Sequence, residues 1–339
     1  MYVILALEVK FGVLAPQGWR LDLKQFRTSR EKYDAMVNYA KRAEELNYDS
    51  VWLYDHFHTV PVPVDDATFE SWTSLAALAK GTSRIRLGTL VTCNSYRNPA
   101  HLAKMASTVD CISDGRLEFG IGAGWYKNEY DAYGYEFPRI GVRLSQLEES
   151  VQIIREMWTK DKASFKGRYY SIDGAVCNPK PIQKPHPHIW IGGQGNRTLK
   201  IVSKYADGWN FIGSAEEFAE KVLLLKNYCK KTDSDFNRLK LSVHLQIATG
   251  KNTKEIADAK NYIRKYIAPI LSHPLDAVKF IAKPSRRGAG YLAGRPEEIS
   301  QKIEQYVNAG ASYFMLYFVD APNVKGMEAF AEMTIPQFS

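Results

Sequence analysis

An aspartate–histidine pair, Asp55-His56, follows a short apolar run at 50–54. An imidazole titrates near neutrality, so a histidine at a strand tip can move a proton or hydrogen-bond a ring edge. Its neighbour Asp55 is placed to orient it. The plainer alternative is a helix cap followed by a surface histidine. Two glycine-rich stretches carry a second kind of chemistry. GIGAGWYKNEY (120–130) runs from an apolar segment into a loop, where glycines let backbone approach a flat ligand or a phosphate; close strand packing is the other reading. IGGQGNRTLK (191–200) leads into helical sequence, and backbone N–H groups at a helix start attract phosphate, with Arg197 and Lys200 able to add charge. A tight turn is its plainer reading. His56 and His58 form an HxH, as do His186 and His188, but no carboxylate spacing completes a metal set, so no metal is expected. No GxSxG elbow is present, and no cysteine is recognisably paired with a histidine.

These groups recur at one kind of place. Apolar stretches at 10–15, 50–54, 85–92, 117–122, 189–191, 208–212, 241–248 and 313–319 alternate with helical sequence. Six of them end in odd residues: Pro16-Gln17-Gly18, Asp55-His56, Thr92-Cys93-Asn94, Gly122-Ala123-Gly124-Trp125, Gly192-Gly193-Gln194-Gly195 and Asp207-Gly208-Trp209-Asn210. Strand–helix alternation of this kind predicts an α/β fold, the (β/α)8 TIM barrel, whose sites gather at the strand C-terminal ends. The helices have their own punctuation. Thr28 with Glu31 is a capping box, Pro99 is a first-turn proline, and Leu144, Leu147, Val151, Ile154 and Trp158 keep helical spacing. The stretch 164–172 reads as an extra hairpin, and 261–294 as an insertion in a single domain spanning 1–339.

Composition narrows the classes. The chain of 339 residues is 45% hydrophobic, as ordinary globular proteins are, and no apolar run is long enough to cross a membrane. Its +8 charge is spread along the chain, which argues against a nucleic-acid stripe and suits an anionic small-molecule ligand. Four scattered cysteines without a CxxC suggest reduced thiols in a cytoplasm.

Four stretches then carry a resemblance: YDHFHTVPVP, LGTLVTCNSYRNPAHLAKMASTVDCISDGRLEFGIGAGWYKNEYDAYGYEFP, IWIGGQGNRTLKIVSKYADGW and GRPEEISQKIEQYVNAGA. In order and in content they resemble the luciferase-like monooxygenase superfamily, and within it the deazaflavin (coenzyme F420)-dependent oxidoreductases. The resemblance implies a flavin or deazaflavin on the C-terminal face of the barrel and, as is usual in the family, a homodimer. It implies that His56 lies beside the reactive ring edge and that Leu90, Val91 and Thr92 support the back of the ring. A cis peptide is implied at Leu90–Val91. Ala123, Gly124 and Asn128 would complete the ring site, and Gly192, Gly193, Gln194 and Gly195 would hold the phosphate. Gln17, Trp19, Tyr96, Trp125, Tyr126 and Glu129 are then expected around the substrate, Glu129 and Tyr96 as further acid–base candidates. One position departs: the sugar-phosphate dehydrogenases of the family place a glutamate directly after the strand-four glycine, where this chain has Trp125. The implied activity is hydride transfer between F420 and an organic substrate. The alternatives are an FMN-dependent monooxygenase and a non-catalytic deazaflavin binder.

Overall fold

The computed structural model describes residues 8–60, 62–262 and 290–338. Eight parallel strands close on themselves: β1 (Lys10–Leu14), β2 (Ser50–Leu53), β3 (Arg86–Thr89), β4 (Leu117–Gly122), β5 (His188–Gly192), β6 (Gly208–Phe211), β7 (Lys240–Ala248) and β8 (Tyr313–Phe318). Each pairs with the next, and β8 pairs with β1, as in Lys10 opposite Tyr313. Closure leaves no free barrel edge, so the ladder groups of every barrel strand are paired on both sides. The strands are buried almost throughout, as parallel strands covered by helices must be.

The helices start where the sequence marks them. In α1 (Ser29–Glu45) Thr28 accepts the Glu31 N–H and Glu31 reaches back to the Thr28 N–H. The helix α2 (Ser71–Gly81) is capped by Glu70, and α3 (Pro99–Ile112) by Asn98 with proline in its first turn. A short helix α4 (Lys127–Ala132) follows β4; sequence periodicity missed it because six residues hold under two turns. It precedes α5 (Ile140–Thr159), whose apolar face packs on the barrel, and a hairpin of Ala163–Lys166 with Ser171–Ala175 follows. After β5 comes α6 (Asn196–Tyr205), and after β6 comes α7 (Ala215–Lys231).

Two further differences from the sequence reading matter for the site. The single strand expected at 85–92 is broken: β3 stops at Thr89, the Leu90–Val91 peptide is cis as the resemblance implies, and Thr92–Cys93 rejoins β4 as a two-residue strand. Most of the insertion expected at 261–294 lies outside the described residues. Its described ends carry the last residues of α8 (Thr253–Tyr262) and a strand, Tyr291–Ala293, that lies parallel to β7.

Large rings plug the lumen below the site. Trp52 from β2 meets Trp190 from β5 edge-on at 5.8 Å, and Tyr313 from β8 meets Trp190 at 5.2 Å. The Trp190 indole N–H donates to Glu118 (2.5 Å), which also pairs with Arg86 and His188. Burial alone would raise the Glu118 carboxyl; its bonds to His188, Arg86 and Trp190 hold it down at about 2. HxH residue His188 is thus part of this ion-pair cluster, and His186 contacts the Pro187 carbonyl.

Another buried acid makes a pH test available. Asp320, just past β8, accepts the Gly326 N–H, yet burial raises its carboxyl from 3.8 to about 7. The folded state therefore holds this proton more tightly than the unfolded chain. Stability from this group is present at pH 4 and is lost as pH rises through about 7. Asp320→Asn should match the wild type below about pH 4, gain on it steadily as pH rises toward 7, and be more stable at pH 8 by up to about 4 kcal/mol. Urea titrations at the two pH values measure it; an equal difference at both would contradict the assignment.

Candidate active site

The broken strand β3 is held open by specific packing. Val91 turns toward β4 and β5, where a Cβ on Gly122 would stand 2.7 Å from its Cγ2 and one on Gly192 3.0 Å away. The close-packing reading of the glycine stretch therefore holds for Gly122. Gly124 is required for another reason: its φ is +73°, and a Cβ there would overlap the Tyr130 hydroxyl and the Cys93 sulfur.

Asp55 anchors this region. Its Oδ2 accepts the Cys93 N–H (2.8 Å) and Arg97 Nη1 (2.7 Å), and its Oδ1 accepts Arg97 Nη2 (2.9 Å) and Ser71 Oγ (2.7 Å). Arg97 also donates to Glu70 at 2.6 Å. One carboxylate thereby ties the tip of β2 to the segment after the cis peptide and to the start of α2. The expectation that Asp55 orients His56 is corrected: its oxygens are committed to these donors.

The orienting group is Glu129, on α4. His56 Nδ1 lies 2.8 Å from Glu129 Oε2, which also accepts the Tyr96 hydroxyl at 2.9 Å. Glu129 Oε1 accepts the N–H groups of Phe57 (2.7 Å) and His58 (3.4 Å). Burial pushes the Glu129 carboxyl up, but these donors outweigh it and the net shift is downward. An ionised carboxylate only accepts, so Nδ1 carries a proton and donates it. Nε2 is left as the imidazole nitrogen available to a ligand. Trp19 stacks on the imidazole at 4.1 Å with the planes 1° apart, and Trp125 and Tyr126 meet it edge-on at 5.8 and 5.9 Å.

These residues border a cavity of about 680 Å³ at the strand C-terminal ends. Of the residues expected there, Trp19, Asp55, His56, Leu90, Val91, Thr92, Tyr96, Ala123, Gly124, Trp125, Tyr126, Gly192, Gly193 and Gln194 line it. Four do not. Gln17 is fully buried, and its amide bonds the Tyr54 N–H and the carbonyls of Tyr54 and Phe69; it fastens two loops together. Glu129 is fully buried behind His56. Asn128 is exposed on α4, and Gly195 is the exposed residue that precedes α6.

At the glycine turn, Gly193 has φ +121° and Thr198 reaches the cavity from the first turn of α6. The charge expected from Arg197 is directed elsewhere: it donates to the Gly141 carbonyl (2.6 Å) and Ser145 Oγ (2.5 Å). Lys200 lies over the Tyr228 ring.

Sequence reasoning missed the wall supplied by Arg20, Tyr54, His244 and Gln246, while Asn210, from the strand-end cluster 207–210, lines the cavity. His244 and Gln246 are two apart on β7, so alternation puts both on the lumen side, a signal that was present in the sequence. Burial, aided by the Arg20 charge, pulls His244 down to about 3. It is therefore neutral: Nδ1–H donates to the Met315 carbonyl (2.9 Å) and Nε2 accepts from the Tyr54 hydroxyl (3.2 Å). Burial pushes that hydroxyl up to about 12. His56, whose Nδ1 is held by Glu129, is thus the cavity histidine with Nε2 left for a ligand.

Comparison with known proteins agrees with this geometry. Residues 9–313 match the family model of the luciferase-like monooxygenases. An F420-dependent glucose-6-phosphate dehydrogenase from Amycolatopsis mediterranei (strain U-32) is 26% identical over 331 residues, covering 92% of this chain and 97% of its own. The enzyme of the same name from Mycolicibacterium smegmatis is 29% identical over 322 residues, covering 88% and 91%. Among solved structures, an F420-dependent secondary alcohol dehydrogenase holding an F420-acetone adduct superposes with a TM-score of 0.80 at 22% identity, covering 98% and 99%. A monooxygenase from Streptomyces bottropensis gives 0.78 at 19% identity, covering 97% and 100%. Closed barrel, bulged third strand and family match together place the chain in the luciferase-like monooxygenase family.

Proposed function

We propose that this protein is a coenzyme F420-dependent oxidoreductase that moves hydride between the deazaflavin and an organic substrate. The observation that carries the reading is the Glu129–His56 pair, set in an aromatic wall of the cavity that the backbone of Leu90–Val91 also lines. The residues fit a flat, anionic cofactor. The backbone at Leu90, Val91 and Thr92 offers a surface for a ring, and the turn at Gly192 to Gln194 leads into the start of α6, where first-turn N–H groups attract a phosphate. A bound deazaflavin would supply the hydride acceptor or donor. The relatives named as F420-dependent support that choice over FMN.

The chain itself handles the proton. With an alcohol as substrate, His56 Nε2 takes the hydroxyl proton as the carbon loses hydride, and Glu129 stabilises the imidazolium that forms. In the reverse direction the same nitrogen returns the proton to the carbonyl oxygen. Trp19 and Tyr126 line the cavity beside this step, with Trp125 at its rim. Glucose 6-phosphate is disfavoured as the substrate, because Trp125 stands where the resemblance calls for an acid, and its side chain is 56% exposed at the rim.

Titration with F420 and with FMN, each at two salt concentrations, tests the reading. F420 should bind more tightly, and its affinity should fall with salt because its tail is anionic. Gly193→Ala should weaken F420 binding at least several-fold, since φ +121° is unfavourable for a side chain and the turn must change. Tighter FMN binding would sink the proposal.

A further inference from the structure

The cavity is lined by a cation, two of whose buried donor atoms meet no acceptor among the described residues. Arg20 follows β1, and its guanidinium lies over the rings of Trp19 (4.9 Å), Tyr54 (5.4 Å) and Tyr317 (4.7 Å). Rings attract a cation through their faces and leave its in-plane N–H groups without acceptors. Among the described residues, no acceptor meets the buried Nε and Nη1 atoms of Arg20. Two neighbours on the same wall are in the same condition: the Trp19 indole N–H and the Gln246 Oε1 atom are buried without partners. Unmade bonds at buried polar groups cost about 1–3 kcal/mol each, and more at a charge, so a cluster of them facing one cavity points to a ligand.

The chemistry of the ligand follows from the set. Arg20 is the one lysine or arginine among the described residues that line the cavity. With the Trp19 N–H it presents donors and a positive charge, which an oxyanion satisfies. The place follows from topology. Arg20 follows β1, whereas the glycine turn follows β5, four strands away around an eight-stranded barrel. An anion at Arg20 is therefore separate from a phosphate seated at Gly192 and Gly193. The buried Asp22 carboxyl, whose Oδ1 accepts the Gly18 N–H, is close enough for the Arg20 charge to act on it, yet among the described residues no acceptor meets Arg20 Nε or Nη1.

We propose that Arg20, with the Trp19 indole N–H, forms the subsite for an oxyanionic group, carboxylate or phosphate, on the substrate of this enzyme. The inference builds on the proposed hydride-transfer site and adds the class of molecule it takes. Hydrogen bonds from a charged donor contribute enough for about a tenfold preference.

The test uses three flat probes: benzoate, phenyl phosphate and benzamide. Binding is measured by calorimetry on the full chain, with and without F420. The expected result is that at least one anion binds about tenfold or more tighter than benzamide. Arg20→Met should erase that preference while F420 affinity stays within about threefold, and Arg20→Lys should retain part of it. Preference for benzoate identifies a carboxylate, and preference for phenyl phosphate a phosphate. Equal binding of all three probes to the wild type, or an undiminished preference in R20M, overturns the proposal. The wild-type comparison stands even where R20M fails to fold. Failure of F420 to bind removes the cofactor reading but leaves the comparison in the absence of cofactor intact.

Discussion

His56→Ala should lower turnover by about 100- to 10,000-fold, the usual contribution of a placed acid–base group, while the folded fraction is nearly unchanged. Removal leaves the buried Glu129 with the Tyr96 hydroxyl and the Phe57 and His58 N–H groups, so the stability cost should be about 1–3 kcal/mol and the chain should stay folded. Added imidazole should restore part of the activity, because the lost group is small and Glu129 remains. Glu129 acts through His56 as a positioning residue. Glu129→Gln replaces an acceptor-only carboxylate with an amide whose NH2 must face one pair of its donors, either His56 and Tyr96 or Phe57 and His58. It should lower kcat about 10- to 100-fold, with KM changed by less than about threefold and no rescue by imidazole. Steady-state kinetics with F420 and a turned-over substrate check both variants. A His56→Ala loss under about threefold would place this histidine among the structural residues.

Arg97→Met is the largest expected change in stability. Removing one partner of a buried ion pair leaves the other charge uncompensated, at a cost of about 3–5 kcal/mol. Here the abandoned groups are Asp55, which is 3% exposed, and Glu70. Asp55 would retain Ser71 Oγ and the Cys93 N–H, so the loss should be partly repaired by Asp55→Asn in the same chain. Urea unfolding of the two single variants and the double variant measures the coupling. Additive losses would show that the pair does not act as a unit. Because Asp55 holds the Cys93 backbone beside the bulge, R97M should also weaken F420 binding in its folded fraction. Sequence reading does not single out Arg97, because no local pattern distinguishes an arginine that reaches a distant carboxylate from a solvated one.

The sequence by itself determined the barrel and the end of it that carries the site. Helix caps such as Thr28 with Glu31 act within one turn, and buried parallel strands must be apolar at nearly every position, so both are written locally. The unusual residues at the strand tips were legible for the same reason: they interrupt a pattern. What tertiary structure alone decided is which polar groups meet. His56 and Asp55 are adjacent in sequence just beyond β2, yet Asp55 bonds Arg97 and His56 bonds Glu129, 73 residues away. Gln17 looked like a site residue and serves as a loop clasp, because its amide found the backbone of Tyr54 and Phe69. Arg20 carries no signal in the sequence, and it lines the cavity because rings of Trp19, Tyr54 and Tyr317 lie under its guanidinium. Each outcome depends on distances closed only when the eight strands join, and no spacing along the chain encodes them.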